Sequence, residues 1–101
     1  MSAVESESYP QGYQLYQNYP NPFNPSTKIR FYMPKSGFVK LIIYNILGEK
    51  VKIIVNDYML SGEHEVEFSS QLLNKNFASG IYFYQLLSGN YSVVKKMILP
   101  K

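Results

Sequence analysis

The sequence predicts an all-β fold, an antiparallel β-sandwich of Ig-like type with about six to seven short strands. Three observations carry this. Beyond residue 27, apolar and polar residues alternate with period two over short runs, as strands with one buried face require. Gly, Pro, Asn and Ser clusters punctuate those runs at the roughly 8–12-residue spacing usual in sandwiches. Tyrosine, at 10 of 101 residues, favours extended structure, and no segment holds a helical period over a useful length.

Residues 1–12, MSAVESESYPQG, are small, polar and acidic and close on a Pro/Gly pair. They read as a linker or leader, with one domain following over 13–101. Residues 13–27, YQLYQNYPNPFNPST, contain Pro20, Pro22 and Pro25. Each proline removes a donor and pushes Tyr19, Asn21 or Asn24 out of the helical region, so the segment is extended or turning. Tyr13, Leu15, Tyr19 and Phe23 are too apolar for a free linker and are expected to pin the segment to the domain.

Strands follow. In 28–33, Ile29, Phe31 and Met33 share one face. Pro34-Lys35-Ser36-Gly37 turns. In 38–44, Val39, Leu41 and Ile43 oppose Phe38, Lys40, Ile42 and Tyr44. Asn45-Ile46-Leu47-Gly48 turns again, 49–55 is a strand, and a loop is expected around 56–62. In 63–68, His64, Val66 and Phe68 face inwards and Glu63, Glu65 and Glu67 outwards. A longer connection over 69–79 is expected to hold a short helical turn at Gln71-Leu72-Leu73. Residues 81–87 and 91–99 form the last two strands around Ser88-Gly89-Asn90. No internal repeat of 20–50 residues is evident.

Composition bounds the function. A chain of 101 residues supports one domain with a modest core. Zero cysteines exclude disulfides, thiolate metal sites and a cysteine nucleophile. A net charge of +3, spread along the chain, is no nucleic-acid footprint. No apolar run approaches the ~20 residues of a membrane helix. The N-terminus lacks a signal pattern, with Glu5 and Glu7 against one, so an exported parent protein is expected to carry its signal further upstream.

Catalytic chemistry has little to work with. The single histidine, His64, and the single aspartate, Asp57, would have to meet a serine to form a triad. But His64 is in phase with Val66 and Phe68 on the packed face. Dispersed carboxylates do not make a metal site, and no phosphate-cradling glycine motif is present. Glu63, Glu65 and Glu67 read as a solvated row paired with Lys or Arg across strands. Asn90-Tyr91-Ser92 matches a glycosylation sequon, for which no modification is expected. Exposed tyrosines could stack on sugars, but Trp is 0. Gly80-Ile81-Tyr82-Phe83-Tyr84 has the spacing of the tyrosine corner of Ig-like sandwiches, with Tyr84 at the cysteine position.

Two motifs are specific together. Gln17-Asn18-Tyr19-Pro20-Asn21-Pro22-Phe23-Asn24-Pro25-Ser26-Thr27-Lys28-Ile29 opens the domain, and Ala78-Ser79-Gly80-Ile81-Tyr82-Phe83-Tyr84-Gln85-Leu86 comes near its close. Between them lie Pro34-Lys35-Ser36-Gly37, Ile43-Tyr44-Asn45-Ile46-Leu47-Gly48-Glu49-Lys50-Val51 and Ser61-Gly62-Glu63-His64-Glu65-Val66. Lys96-Met97-Ile98-Leu99 follows. Over residues 13–101 this closely resembles the type A C-terminal sorting domain of the type IX secretion system. It is similar, more distantly, to the Ig-like domain of flagellar hook-capping proteins.

The resemblance implies a non-catalytic sorting and attachment module, without cofactor or metal, at the C-terminal end of an exported cargo protein. Its implied partners are the outer-membrane translocon, the surface processing and attachment machinery and the N-terminal cargo domains, with no nucleic acid and no membrane span. The implied route is through the periplasm to the cell surface or the medium. Gly80 and Tyr82 fall on the family's G-x-Y element, and Lys95, Lys96 and Lys101 belong to its basic terminal strand. Asn21, Pro22, Phe23, Asn24 and Pro25 are its opening signature. Pro100 sits where the family more often continues the strand, and 74–77 is longer and more polar than usual. The competing reading is a structural or carbohydrate-binding Ig-like accessory domain of a multidomain secreted enzyme. The position of the domain in its parent gene separates the two.

Overall fold

The period-two alternation decides where the chain becomes strand and which side of each strand is buried. In a computed structural model, which describes residues 12–23, 25–70 and 79–100, seven strands follow in order. They are β1 (Gln14–Leu15), β2 (Ser26–Met33), β3 (Gly37–Tyr44), β4 (Lys50–Met59), β5 (Gly62–Ser69), β6 (Gly80–Ser88) and β7 (Tyr91–Leu99). All but Gly12 of the linker expected over 1–12, the helical turn at 71–73, the polar stretch at 74–77, Asn24 and Lys101 lie outside the described residues. Among the described residues there is no α-helix.

Two antiparallel sheets form a sandwich: three strands ordered β1-β2-β5 and four ordered β4-β3-β6-β7. The chain crosses between sheets after β2, β4 and β5, the crossing pattern of a Greek key rather than a meander. In β2, β3 and β5 the fully buried residues, Ile29, Phe31, Met33, Val39, Leu41, Ile43 and Phe68, are among those the alternation picks out, and Tyr84 and Leu86 of β6 and Met97 of β7 are buried with them. Each side chain so buried contributes about 1.5–3 kcal/mol by transfer from water.

Two details differ from the sequence reading. The loop expected at 56–62 shrinks to two residues, because β4 continues to Met59, pairing Asn56, Asp57 and Tyr58 with Lys40, Val39 and Phe38. Asn and Asp are poor strand formers, but β3 already presents a free ladder there and pairing overrides propensity. Ile42, placed on the outer face, is nonetheless only 3% exposed. It lies mid-sheet between Ile53 of β4 and Gln85 of β6, whose side chains flank it on the outer face.

The turn at 45–48 is built by Asn45. Its Oδ1 accepts the N–H groups of Leu47 and Glu49, each at 2.9 Å. Gly48 supplies the left-handed backbone, at φ +85°, that closes it.

Candidate functional site

The proline-rich opening segment is held by a buried polar cluster. Tyr19 bridges to Lys28 through a reciprocal pair of backbone hydrogen bonds of 3.0 and 2.9 Å. Strand alternation then turns Asn18 inwards and Tyr19 outwards. Asn18 is buried, whereas Tyr19 is 80% exposed, so the expectation that Tyr19 pins the segment is corrected. Leu15 and Phe23 do pin it, Phe23 meeting Phe68 edge-on at 5.9 Å between centroids. Tyr13 stacks on Tyr91 at 4.7 Å. The Tyr19-Pro20 and Asn21-Pro22 peptide bonds are cis.

The polar side chains of that cluster bond to one another and to backbone, as burial demands. Asn18 Nδ2 donates to Thr27 Oγ1 at 3.0 Å and to the Pro20 carbonyl at 3.2 Å, and its Oδ1 accepts Gln17 Nε2 at 2.6 Å. Thr27 Oγ1 donates to the same Pro20 carbonyl at 2.8 Å. From the other sheet, the Tyr84 hydroxyl donates to the Tyr16 carbonyl and accepts the Asn18 N–H, both at 2.8 Å. Burial pushes the Tyr84 phenol up to about 12, against the opposing effect of the Asn18 backbone hydrogen bond. Tyr84, read as the cysteine position of a corner, is thus the tyrosine whose hydroxyl ties the two layers together here. Tyr82, its neighbour on the same face, is buried and has an interaction of its own.

The same segment clasps the last strand. Gln17 Nε2 donates to the Lys96 carbonyl at 2.7 Å, the Phe23 N–H to the Ile98 carbonyl at 3.0 Å, and the Ile98 N–H to Asn21 Oδ1 at 2.9 Å. The opening motif and the terminal strand, far apart in sequence, are one structural unit. Of the opening signature, Asn21 and Phe23 make these contacts and Pro22 and Pro25 are exposed. Gly80 opens β6 opposite Leu99 at φ +134°, and a Cβ there would meet nothing within 4 Å. Its requirement is conformational rather than a matter of space. Tyr82 pairs with Met97. Lys95 and Lys96 part company: Lys95 shares the inward side with Tyr84 and is half-buried, while Lys96 shares the outer side with Phe83 and is exposed.

On the outer face of the smaller sheet, Glu63, Glu65 and Glu67 oppose Tyr32, Arg30 and Lys28. Lys28 Nζ lies 3.4 Å from Glu65, an exposed pair worth about 0–1 kcal/mol. Arg30 lies over the Tyr16 ring at 4.9 Å, and the Tyr16 hydroxyl donates to Glu63 at 3.4 Å. Desolvation, then the Glu63 charge, raise the Tyr16 phenol. His64 stacks on Phe31 at 5.4 Å and its Nε2 meets the Leu60 carbonyl at 2.6 Å. Asp57 accepts the N–H of Tyr58 at 2.7 Å, so each candidate triad member has a local backbone partner. Among the described residues no three His, Cys, Asp or Glu side chains gather where a metal could sit.

Sequence reasoning passed over Gln17, Asn18 and Thr27 as working residues. The available signal was Asn18 itself, a polar residue between Leu15 and Phe23 in a stretch whose prolines leave carbonyls without a ladder.

A family model described as Secretion system C-terminal sorting domain matches residues 17–100 of the chain. No curated protein and no solved structure matches it.

Proposed function

The chain belongs to the family of secretion-system C-terminal sorting domains, and from that membership we propose that it directs a cargo protein through the outer-membrane type IX translocon to the cell surface. The family acts as a C-terminal sorting signal in type IX secretion and is a non-catalytic signal module. No helix among the described residues is long and apolar enough to cross a membrane.

One observation supports the finer reading above others. The opening motif, one of the two stretches that carry the resemblance, is hydrogen-bonded to the basic terminal strand through Gln17, Asn21 and Phe23. A partner that reads β7 therefore meets it in a fixed setting. Gly80 and Tyr82 lie on β6, the strand paired beside β7, and Lys95, Lys96 and Lys101 supply the basic character that an acidic translocon surface reads. Charges at a surface act on encounter rate and partner choice more than on folding.

Structure and signal therefore separate on mutation. Replacing Lys95, Lys96 and Lys101 by Gln is expected to change stability by less than about 1 kcal/mol. In a host with the secretion system, export of a fused reporter should nonetheless fall and cargo should collect in the periplasm. Undiminished export of that variant refutes the charge-reading role.

A further inference from the structure

The four-stranded sheet ends on β7, and the described residues cover its outer edge only in part. Ile98 commits both backbone groups, and Lys96 its carbonyl, to the opening segment. In an antiparallel ladder a residue's N–H and C=O point to the same side, and that side alternates along the strand. Lys96, Val94 and Ser92 therefore turn their backbone away from β6. The Lys96 N–H and both backbone groups of Val94 and Ser92 have no partner among the described residues. A row of unpaired donors and acceptors of this kind is a template for another strand. The covered stretch at Lys96–Ile98 closes one end of it.

We propose that this open stretch of β7 is a docking lane in which an extended acidic segment of another protein adds a fifth strand to the sheet; the proposal rests on the sorting role above and supplies its mode of recognition. Main-chain hydrogen bonds give such a complex its affinity, and side-chain alternation its specificity. Lys95 and Lys96 lie on opposite sides of the sheet. Consecutive residues of an added strand also point to opposite sides, so two adjacent carboxylates opposite them satisfy both. Val94, 51% exposed on the outer face, calls for an apolar residue next along the lane. The matching segment is thus two adjacent acidic residues followed by a β-branched apolar one. A second copy fits poorly. Pairing β7 with itself about Val94 would drive the second copy's β6–β7 turn into the space that Asn21 and Phe23 occupy beside Ile98.

The test uses the 101-residue chain and a synthetic acetylated, amidated peptide Thr-Glu-Glu-Val-Thr-Thr, with amide NMR shifts as the readout. The outward amides of Ser92, Val94 and Lys96 should shift and exchange more slowly, while those of Val93 and Lys95 hold. A Lys-Lys version of the peptide, and one N-methylated at its valine, should each bind at least about tenfold more weakly. Val94→Pro removes an outward donor and leaves the β6 ladder intact; it should keep the melting temperature and lose the peptide. Equal binding of the three peptides, shifts confined to the Lys28 and Arg30 face, or no shift at ~1 mM peptide overturns the lane. So does a concentration-dependent dimer abolished by Val94→Pro, which assigns the edge to a second copy. Unshifted amides with normal reporter export sink the lane alone, and shifted amides without export sink the sorting role alone.

Discussion

Tyr84 is the residue on which the two layers most depend. Its ring is fully buried and its hydroxyl serves a donor and an acceptor of the opposite layer. Tyr84→Phe keeps the ring but leaves the Asn18 N–H and Tyr16 carbonyl without their partner, a cost of about 1–3 kcal/mol measurable by urea denaturation. The pH dependence follows from the raised pKa, about 12 against 10.0 for a free phenol. The folded state holds the proton more tightly than the unfolded one. The stabilisation is therefore complete below pH 10 and lost as pH rises from 10 towards 12, by up to about 3 kcal/mol. Stability curves of Tyr84→Phe should lack that part of the alkaline decline. An identical decline in both proteins would place the titration elsewhere. From sequence the ring's burial was legible through the Gly80-to-Tyr84 spacing, but the hydroxyl's partners were not. They lie 66 and 68 positions away, in a segment whose prolines erase the alternation that would have set its phase.

At the scale of elements, the opening segment divides its work between anchor and clasp. Phe23 is the anchor: fully buried, it should cost about 3–5 kcal/mol as Phe23→Ala. Asn21 is the clasp. Its bond to the Ile98 N–H is exposed, so water replaces it in Asn21→Ala and stability should change by less than about 1 kcal/mol. Hydrogen exchange should separate the two effects: Asn21→Ala loses protection at Ile98 and keeps it at Met97, whose amide serves the β6 ladder. Uniform loss along β7 would mean that the strand, not the clasp, had been weakened. Strands β2, β3 and β5 were legible through their alternation, and β6 and β7 because the Ser88-Gly89-Asn90 turn separates two runs rich in aromatic and β-branched residues. The end of β4 was not, since Asn56 and Asp57 carry turn propensity and only the presence of β3 beside them makes them strand. The exposed Tyr19 and buried Asn18 were misphased for a related reason: a single bridge to Lys28, not a run of residues, sets which side faces in.

For the molecule as a whole, charge is sorted by face. The acidic row of β5 meets Lys28 and Arg30 on the smaller sheet, while the terminal strand of the larger sheet carries Lys95 and Lys96 without a salt-bridge partner among the described residues. The fold class and the family were legible because both rest on local patterns, alternation and short motifs. The joining of the first motif to the last strand was not, since nothing periodic links Asn21 with Ile98. We propose that this joined unit is the sorting signal. Its most direct test is a fluorescent reporter behind an export signal peptide, carrying the 101-residue chain at its C-terminus, in a host with the type IX system. With the chain intact the reporter should reach the cell surface or the medium. With residues 96–101 deleted it should remain in the periplasm, and equal export of the two fusions would contradict the account.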